Sequence, residues 1–306
     1  MRYLFSTLII AHLLFSACSS SKKAIELTLQ PTGNQSFIYV STNTTETSVS
    51  MMGMDQKILM EQTAKQQYDI KKVNSDGTFD LTVTTKSMKM EQVNPMMNMR
   101  FDSDNPANNE PEGMMDGLSN MIGKSFDVVV DKQGDVKSVS MEGKLFDGVF
   151  DNVPGGEQMA AQFESQFGES AIKSALNQTL GFFPDKPVKV GDSWVKSTTS
   201  EMGMKLDLQT TYTLKERKNG NASIEFVSNV ATSPSEAPLE MMGMTMSYDM
   251  KGTLKGTILV NEKTGWAIKN SGEQSMKGKM NMSGAGMGEM SADMDVITKY
   301  NYEKIE

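Results

Sequence analysis

Long runs in which apolar and polar residues alternate constrain the fold of this chain more than any other feature. Phe79–Thr84 and Met244–Met250 are the clearest examples. Because successive side chains of a strand point to opposite faces, such runs predict half-buried β-strands. Further strands are predicted at residues 36–45, 126–130, 136–139, 206–215, 222–230, 244–260, 266–275 and 294–303. The chain is therefore predicted to be mainly β (α+β), with one large curved antiparallel sheet or two related β lobes.

Two segments near the centre have a helical period instead. Met159, Phe163 and Phe167 are four residues apart, which places them on one face of a helix. A second helix is predicted over residues 170–180, with Ser170 as its N-cap. We expect a central helical hairpin against which the sheet packs.

The first residues have the pattern of a targeting segment. Leu4–Phe15 is mostly apolar, follows a short basic start, and is too short to span a bilayer comfortably. Small residues then precede Cys18, as in the bacterial lipobox, where cleavage leaves a lipid-bearing cysteine at the N-terminus. This pattern predicts a signal peptide at 1–17, lipidation of Cys18, a tether at 18–25, and attachment to a membrane through acyl chains.

Composition then excludes several kinds of function. The chain has one His and one Cys, and both precede residue 20, so the predicted mature protein has neither imidazole nor free thiol chemistry. The formal net charge is -8, which argues against binding nucleic acid. We therefore expect a non-enzymatic protein without a cofactor.

The mature chain divides into two β-rich halves around the helices. The predicted boundaries are a first half at 26–143, the helical hairpin at 144–187 and a second half at 188–306. Each half contains a Met-Gly-Met, then a Tyr that opens a strand, then a Gly turn. This order is consistent with a duplicated β unit. Residues 94–117, which contain three prolines, are predicted to be a long loop.

Methionine is the most unusual component of the chain, with 28 residues. Many of these residues occur at alternate positions of the predicted strands, which would gather them on the apolar face of the sheet. Met is flexible and polarisable, so it can pack against ligands of varied shape. The candidate ligand-binding residues are Met88, Met90, Met202, Met204, Phe226, Met244, Met246, Met280 and Met282.

Three interpretations of the methionines remain open. They could line a cavity for an acyl chain or similar hydrophobic ligand, or fill the core of a structural or interaction lipoprotein. A third interpretation is soft-metal binding, because thioethers suit Cu(I) and Ag(I). Met287, Met290 and Met294 are the candidate residues for that metal site.

The chain also resembles a known family in three places. They are the small residues ending at Cys18, Tyr68 followed by Asp76-Gly77, and most specifically the segment Phe183–Trp194. These features resemble an uncharacterised family of bacterial outer-membrane lipoproteins, the domain-of-unknown-function family numbered 6263. The resemblance implies location and architecture but no activity.

The sequence thus predicts a lipid-anchored envelope lipoprotein that binds a hydrophobic ligand. Its partners would be a membrane, through the acyl chains, and a hydrophobic small molecule or lipid. The polar residues after Cys18 include no acid, which favours the periplasmic face of the outer membrane.

Overall fold

A computed structural model describes residues 23–94, 98–111, 115–151, 155–201, 204–234, 238–241, 244–284 and 287–305. Cys18 and Met202 lie outside these ranges. The strands are β1 (Gln35–Met51), β2 (Met54–Val73), β3 (Phe79–Val93), β4 (Met99–Asp102), β5 (Ser125–Val130), β6 (Val136–Met141), β7 (Ser193–Ser200), β8 (Leu206–Lys218), β9 (Asn221–Thr232), β10 (Leu239–Met241), β11 (Met244–Asn261), β12 (Ala267–Gly284) and β13 (Met287–Lys304). The helices are α1 (Gly156–Phe167) and α2 (Glu169–Leu180).

All thirteen strands belong to one antiparallel sheet. Its order is β6-β5-β3-β2-β1-β13-β12-β11-β9-β8-β7, with β4 paired to β3 and β10 paired to β11. Strands β1 and β13 join the two β-rich parts of the chain along a register from Tyr39–Lys304 to Ser50–Asp293. The predicted large antiparallel sheet is confirmed, and it is continuous instead of divided into two lobes.

Helix α2 connects the two edges of this sheet. Asn177 Oδ1 accepts a hydrogen bond of 2.8 Å from the backbone N–H of Val136 in β6. On its other side, Ser174 Oγ donates a bond of 2.6 Å to the carbonyl of Thr199 in β7. A flat sheet of the eleven strands from β6 to β7 would be about 48 Å wide, since neighbouring strands lie about 4.8 Å apart. The sheet must therefore curve strongly for one helix to reach both edges.

The two ends of the curved sheet differ in composition. At one end, called the aromatic end, Phe37, Tyr68, Phe79 and Trp266 pack together and are at most 3% exposed. At the other end, called the methionine end, lie the β1–β2 hairpin turn, the last residue of β10 and the first residue of β13. These are Met51–Met54, Met241 and Met287. The N-terminal segment that contains Leu27 and Leu29 closes the aromatic end, where Leu29 N–H bonds to Lys132 O at 2.8 Å.

Some predicted details are confirmed and others are wrong. The helical hairpin is confirmed, but Gly168, not Ser170, is the N-cap of α2. Residues 94–117 are not a simple loop, because they contain β4 and a 3₁₀ turn at Pro106–Asn108. β4 pairs with β3 beside it in the sheet, its Phe101 is fully buried, and Arg100 pairs with Glu110 through two backbone hydrogen bonds of 2.8 Å.

Neither helix is suited to crossing a bilayer. Each has 12 residues, and within the ranges described above no helix combines the length and the apolar character that a membrane span needs.

Candidate functional site

The register of the sheet places the predicted ligand-binding residues on one face. Residues directly opposite each other on paired strands share a face, and Met246, Met282 and Met290 form such a row across β11, β12 and β13. On β3, Met88 and Met90 are opposite Ala64 and Gln62 of β2, which lie on that same face. This is the inner face of the curve, because it also holds the aromatic core; we call it the concave face.

The remaining predicted residues lie on the concave face or beside it. Met244, Met280 and Phe226 are at alternate positions of their strands, in phase with that row. Met204 precedes β8, where its sulfur accepts a hydrogen bond of 3.8 Å from Thr232 Oγ1. The register thus places most of these residues on one face, with Met204 beside it, while ligand binding there stays a prediction.

Burial decreases along the concave face towards the methionine end. A second apolar cluster, Leu208, Val230, Met250 and Met276, is at most 6% exposed. Beyond it, eight methionines are only half-buried: Met60, Met88, Met90, Met244, Met280, Met282, Met290 and Met294. At the hairpin tip Met52 is 83% exposed. The face thus changes from a filled core to a partly open apolar surface.

The lengths of the elements explain this change. A helix of 12 residues such as α2 is about 18 Å long, while a strand of 18 residues such as β11 is about 60 Å long. Because α2 ends beside the aromatic end, it can cover only about a third of the concave face. Helix α2 therefore does not extend over the methionine part of the face.

A glycine in the middle of β11 permits the strong curvature. A Cβ placed on Gly252 would lie 1.9 Å from the carbonyl oxygen of Ser275 in the neighbouring strand β12. Only a residue without a side chain allows the two backbones to approach so closely, which is a recognised role of glycine within strands.

A cavity of about 260 Å³ lies between α2 and the concave face. Its lining includes Gln178 and Thr179 of α2 and the apolar Leu208, Tyr212, Phe226, Leu254 and Ile258 of the sheet. Five further side chains, here called the polar belt, are Thr210, Ser228, Asn270, Gln274 and Tyr300. Of the predicted ligand-binding residues that are described, Phe226 alone lines this cavity, which adjoins the methionines through Leu208 and Leu254.

The sequence analysis did not identify the polar belt. These residues belong to four different strands, and each is an ordinary polar residue in its own segment. They come together only through the register, in which Ser228 is opposite both Thr210 and Leu254, and Leu254 is opposite Gln274. The sequence gives one indication of the belt: on their strands, Thr210 and Ser228 occupy positions that the alternating pattern assigns to the apolar face.

The outer face of the long strands has the opposite character. Cross-strand ion pairs cover it, including Lys277–Asp295 at 2.6 Å and Lys57–Glu46 at 2.7 Å. Exposed pairs of this kind contribute little to stability, but they show that this face is in contact with water. Two shallower depressions, of about 580 and 370 Å³, are lined largely by outward-facing polar residues such as Gln209 and Lys279. We therefore place the candidate site on the concave face.

The predicted metal residues are spread out instead of gathered. They belong to β13, where Met290 and Met294 are four positions apart, which is about 13 Å of strand. This stretch is a strand, whereas on a helix the three positions would form one stripe. Within the described residues no group of three or more His, Cys, Asp or Glu side chains could hold a metal ion.

Comparison with known proteins adds a family but no activity. No curated protein matches the chain. The similar solved structures include OmpF of Salmonella typhi in complex with daunomycin (6% identity, 89% of this chain and 99% of that chain, TM-score 0.25). They also include the translocator domain of the autotransporter NalP from Neisseria meningitidis (8%, 89% and 90%, TM-score 0.21). At these TM-scores, the likeness carries no argument about fold or function.

The family comparison is more informative. The profile of a family of unknown function, DUF6263, matches residues 76–267, a range that runs from the turn before β3 to the start of β12. It includes Phe183–Trp194, the segment on which the sequence resemblance mainly depended. The match covers more than half of the chain, which therefore belongs to this family of unknown function, DUF6263.

Proposed function

We propose that this protein is a lipid-anchored, non-enzymatic lipoprotein of the bacterial outer membrane that binds a hydrophobic ligand, such as an acyl chain, on its concave face. One observation carries the proposal. Eight methionines towards one end of that face are only half-buried, although the same face is completely filled at the aromatic end. A protein whose role was only structural would gain stability by covering this surface as well.

The chemistry of methionine suits such a site. Its three rotatable bonds and polarisable sulfur let the surface repack around chains of different length and unsaturation. Burial of alkyl groups contributes about 0.8 kcal/mol per CH₂, so covering eight of them contributes about 6 kcal/mol before the cost of association. That is enough for binding when the pocket already exists in part.

The anchor and the methionine end would lie at opposite ends of the molecule. Ile25 pairs with Val188 near the aromatic end, and at most about 25 Å of chain separates it from Cys18. If Cys18 carries the lipid, the aromatic end lies next to the membrane and the methionine end points away from it. A ligand would then enter from the side of the aqueous compartment, which we propose to be the periplasm.

The test is native mass spectrometry of the acylated protein, purified in mild detergent. We expect co-purifying lipid, and we expect Met282→Glu to lower its occupancy about tenfold, because a carboxylate on this face must be desolvated. Asn281→Glu is the matched control, since residue 281 is the exposed neighbour on the outer face of the same strand. Met282→Leu should retain the lipid.

Two outcomes would contradict the proposal. Repeatedly ligand-free spectra of the wild-type protein would favour the structural interpretation with no ligand. Equal losses in Met282→Glu and Asn281→Glu would show that the lipid does not lie on the concave face.

A second candidate function is soft-metal binding, favoured by the row of Met246, Met282 and Met290. Their strands are neighbours about 4.8 Å apart, so three thioethers can converge on one ion across the sheet. This row replaces the predicted group along β13 as the best arrangement for Cu(I).

Competition with a bathocuproine-type chelator tests the metal candidate. We expect the triple variant Met246→Leu, Met282→Leu, Met290→Leu to lose Cu(I) binding, while leucine at Met60, Met88 and Met90 leaves it intact. If the wild-type protein does not compete with the chelator, the metal candidate is wrong and the lipid proposal is unaffected.

A further inference from the structure

The cavity beneath α2 differs chemically from the methionine part of the concave face. Hydroxyl and amide side chains supply much of its lining, and none of the residues that line it is Asp, Glu, Lys or Arg. A pocket of this kind can hydrogen-bond a ligand but offers no charge to balance an ionic group.

The hydroxyl groups of the polar belt are neutral and already ordered. Thr210 and Ser228 are at most 5% exposed, and their hydroxyls share a hydrogen bond of 2.6 Å. The Tyr300 phenol donates a bond of 3.3 Å to Asn270 Oδ1. Burial raises the pKa of the Tyr300 phenol, so it stays a hydrogen-bond donor at physiological pH.

The amide of Gln274 has a weaker partner. Its Nε2 donates to the sulfur of Met276, and a thioether is a poor acceptor. A ligand oxygen placed in the cavity would be a better acceptor for this N–H. Gln274 also lies at the boundary between the belt and the methionines, where the head and the tail of an amphiphile would meet.

The charge of an ionised head group would not be balanced by an opposite charge in the lining of this cavity. Lys196 is opposite Thr210 in the sheet, but its Nζ lies 2.7 Å from Asp185 Oδ1 and is outside the lining. Transfer of an unpaired carboxylate or phosphate from water into such a site costs several kcal/mol, whereas an alcohol, ester or amide exchanges its water for the belt.

The methionine part of the face has the length to hold the tail. Leu254 and Met246 lie eight residues apart on β11, which is about 27 Å of strand. The hydrocarbon part of one bilayer leaflet, which a lipid chain spans, is about 15 Å thick. An extended alkyl chain that starts at the belt is therefore short enough to lie on this face, and it reaches the half-buried methionines once the flexible side chains of Met250 and Met276, which are at most 4% exposed, change rotamer.

We propose that the polar belt binds the uncharged hydrogen-bonding head of a single-chain amphiphile, an alcohol, ester or amide, whose alkyl chain lies along the methionines. This inference rests on the proposed function and narrows its ligand class.

A panel of four ligands with the same twelve-carbon chain tests it at pH 8: dodecanol and monolauroylglycerol, each below its solubility limit, and dodecanoate and dodecyl phosphate, each below its micelle concentration. Binding to the full acylated protein is measured by tryptophan fluorescence. Trp194 is a suitable reporter, because its ring stacks on Tyr212 of the cavity lining with a centroid distance of 5.8 Å. We expect the two neutral ligands to bind at least about tenfold more tightly than the two anions.

Two variants identify the belt as the source of this preference. Gln274→Leu should reduce the preference to about twofold or less, while Gln209→Leu, the same change on the exposed outer face, should preserve it. Gln274→Lys should make the protein prefer dodecanoate, which a general loss of structure could not produce. The fold of each variant is checked by circular dichroism.

The outcomes are distinct. Anions that bind as tightly as the neutral ligands, or an unchanged preference in Gln274→Leu, would overturn this inference and leave the proposed function standing. If none of the four ligands binds, the proposed function fails with it.

Discussion

Replacing Gly134 by alanine is expected to lower the free energy of unfolding by about 3 kcal/mol or more. Gly134 lies in the turn between β5 and β6 with φ of 81°, a left-handed conformation that costs an L-residue about 1 kcal/mol or more. In addition, a Cβ there would lie 1.9 Å from the carbonyl oxygen of Leu180, the last residue of α2. Neither backbone can move without separating the helix from the β6 edge.

The control for this prediction is Gly77→Ala, in the turn between β2 and β3. Gly77 has φ of 88°, but a Cβ there would meet only Lys132 Cε at 3.8 Å. We expect a loss of about 1 kcal/mol from backbone strain alone. Urea denaturation of the two variants measures the difference, and equal losses would contradict the docking of α2 against this turn.

A cooperative unfolding transition is expected between about pH 10 and 12, because the fold buries several tyrosines as neutral phenols. Burial raises the pKa of Tyr68 and of Tyr212 to about 12. It also raises the pKa of Tyr39, Tyr300 and Tyr302. Folded-state pKa values above the unfolded value of about 10 stabilise the fold fully below pH 10, and this stabilisation is lost as the pH rises further.

The expected loss is about 1.4 kcal/mol per tyrosine for each pH unit above 10. By pH 11 five such groups would remove about 7 kcal/mol, which is comparable to the whole stability of many domains. Circular dichroism and the absorbance of tyrosinate, recorded together against pH, should change in one transition.

Two variants separate titration from packing. Tyr68→Phe should raise the midpoint of the alkaline transition, because it removes one of the groups that must ionise. Tyr39→Phe should instead lower stability at neutral pH by about 1 kcal/mol, because the phenol of Tyr39 donates a hydrogen bond of 2.7 Å to Ala267 O. Phenols that ionise near pH 10 while the circular dichroism stays unchanged would contradict the buried positions.

Local sequence patterns predicted the elements better than their assembly. Alternation is a property of one strand, so β3, β8 and β9 could be located from their own residues. The first helix of the hairpin could be predicted from the four-residue spacing of Met159, Phe163 and Phe167. The continuity of the sheet could not be predicted in this way, because it depends on the pairing of β1 with β13, whose residues are more than two hundred positions apart in the sequence.

The same distinction applies to the candidate site. The common face of the methionines follows from strand alternation and could be predicted, whereas their grouping across strands could not. Met246 and Met290 become neighbours of Met282 only through the register. The curvature depends on glycines such as Gly252, whose close approach to Ser275 no single segment reveals.

Photo-crosslinking with an alkyl-diazirine ligand, mapped by mass spectrometry, tests the central claim most directly. Because the two faces of each long strand alternate, the labelled positions report which face holds the chain. We predict labels on Met280, Met282, Met290 and Met294, on the concave face. Labels on the outward-facing Lys279, Asn281 and Ser291, or labels spread equally over both faces, would contradict a ligand site inside the curve.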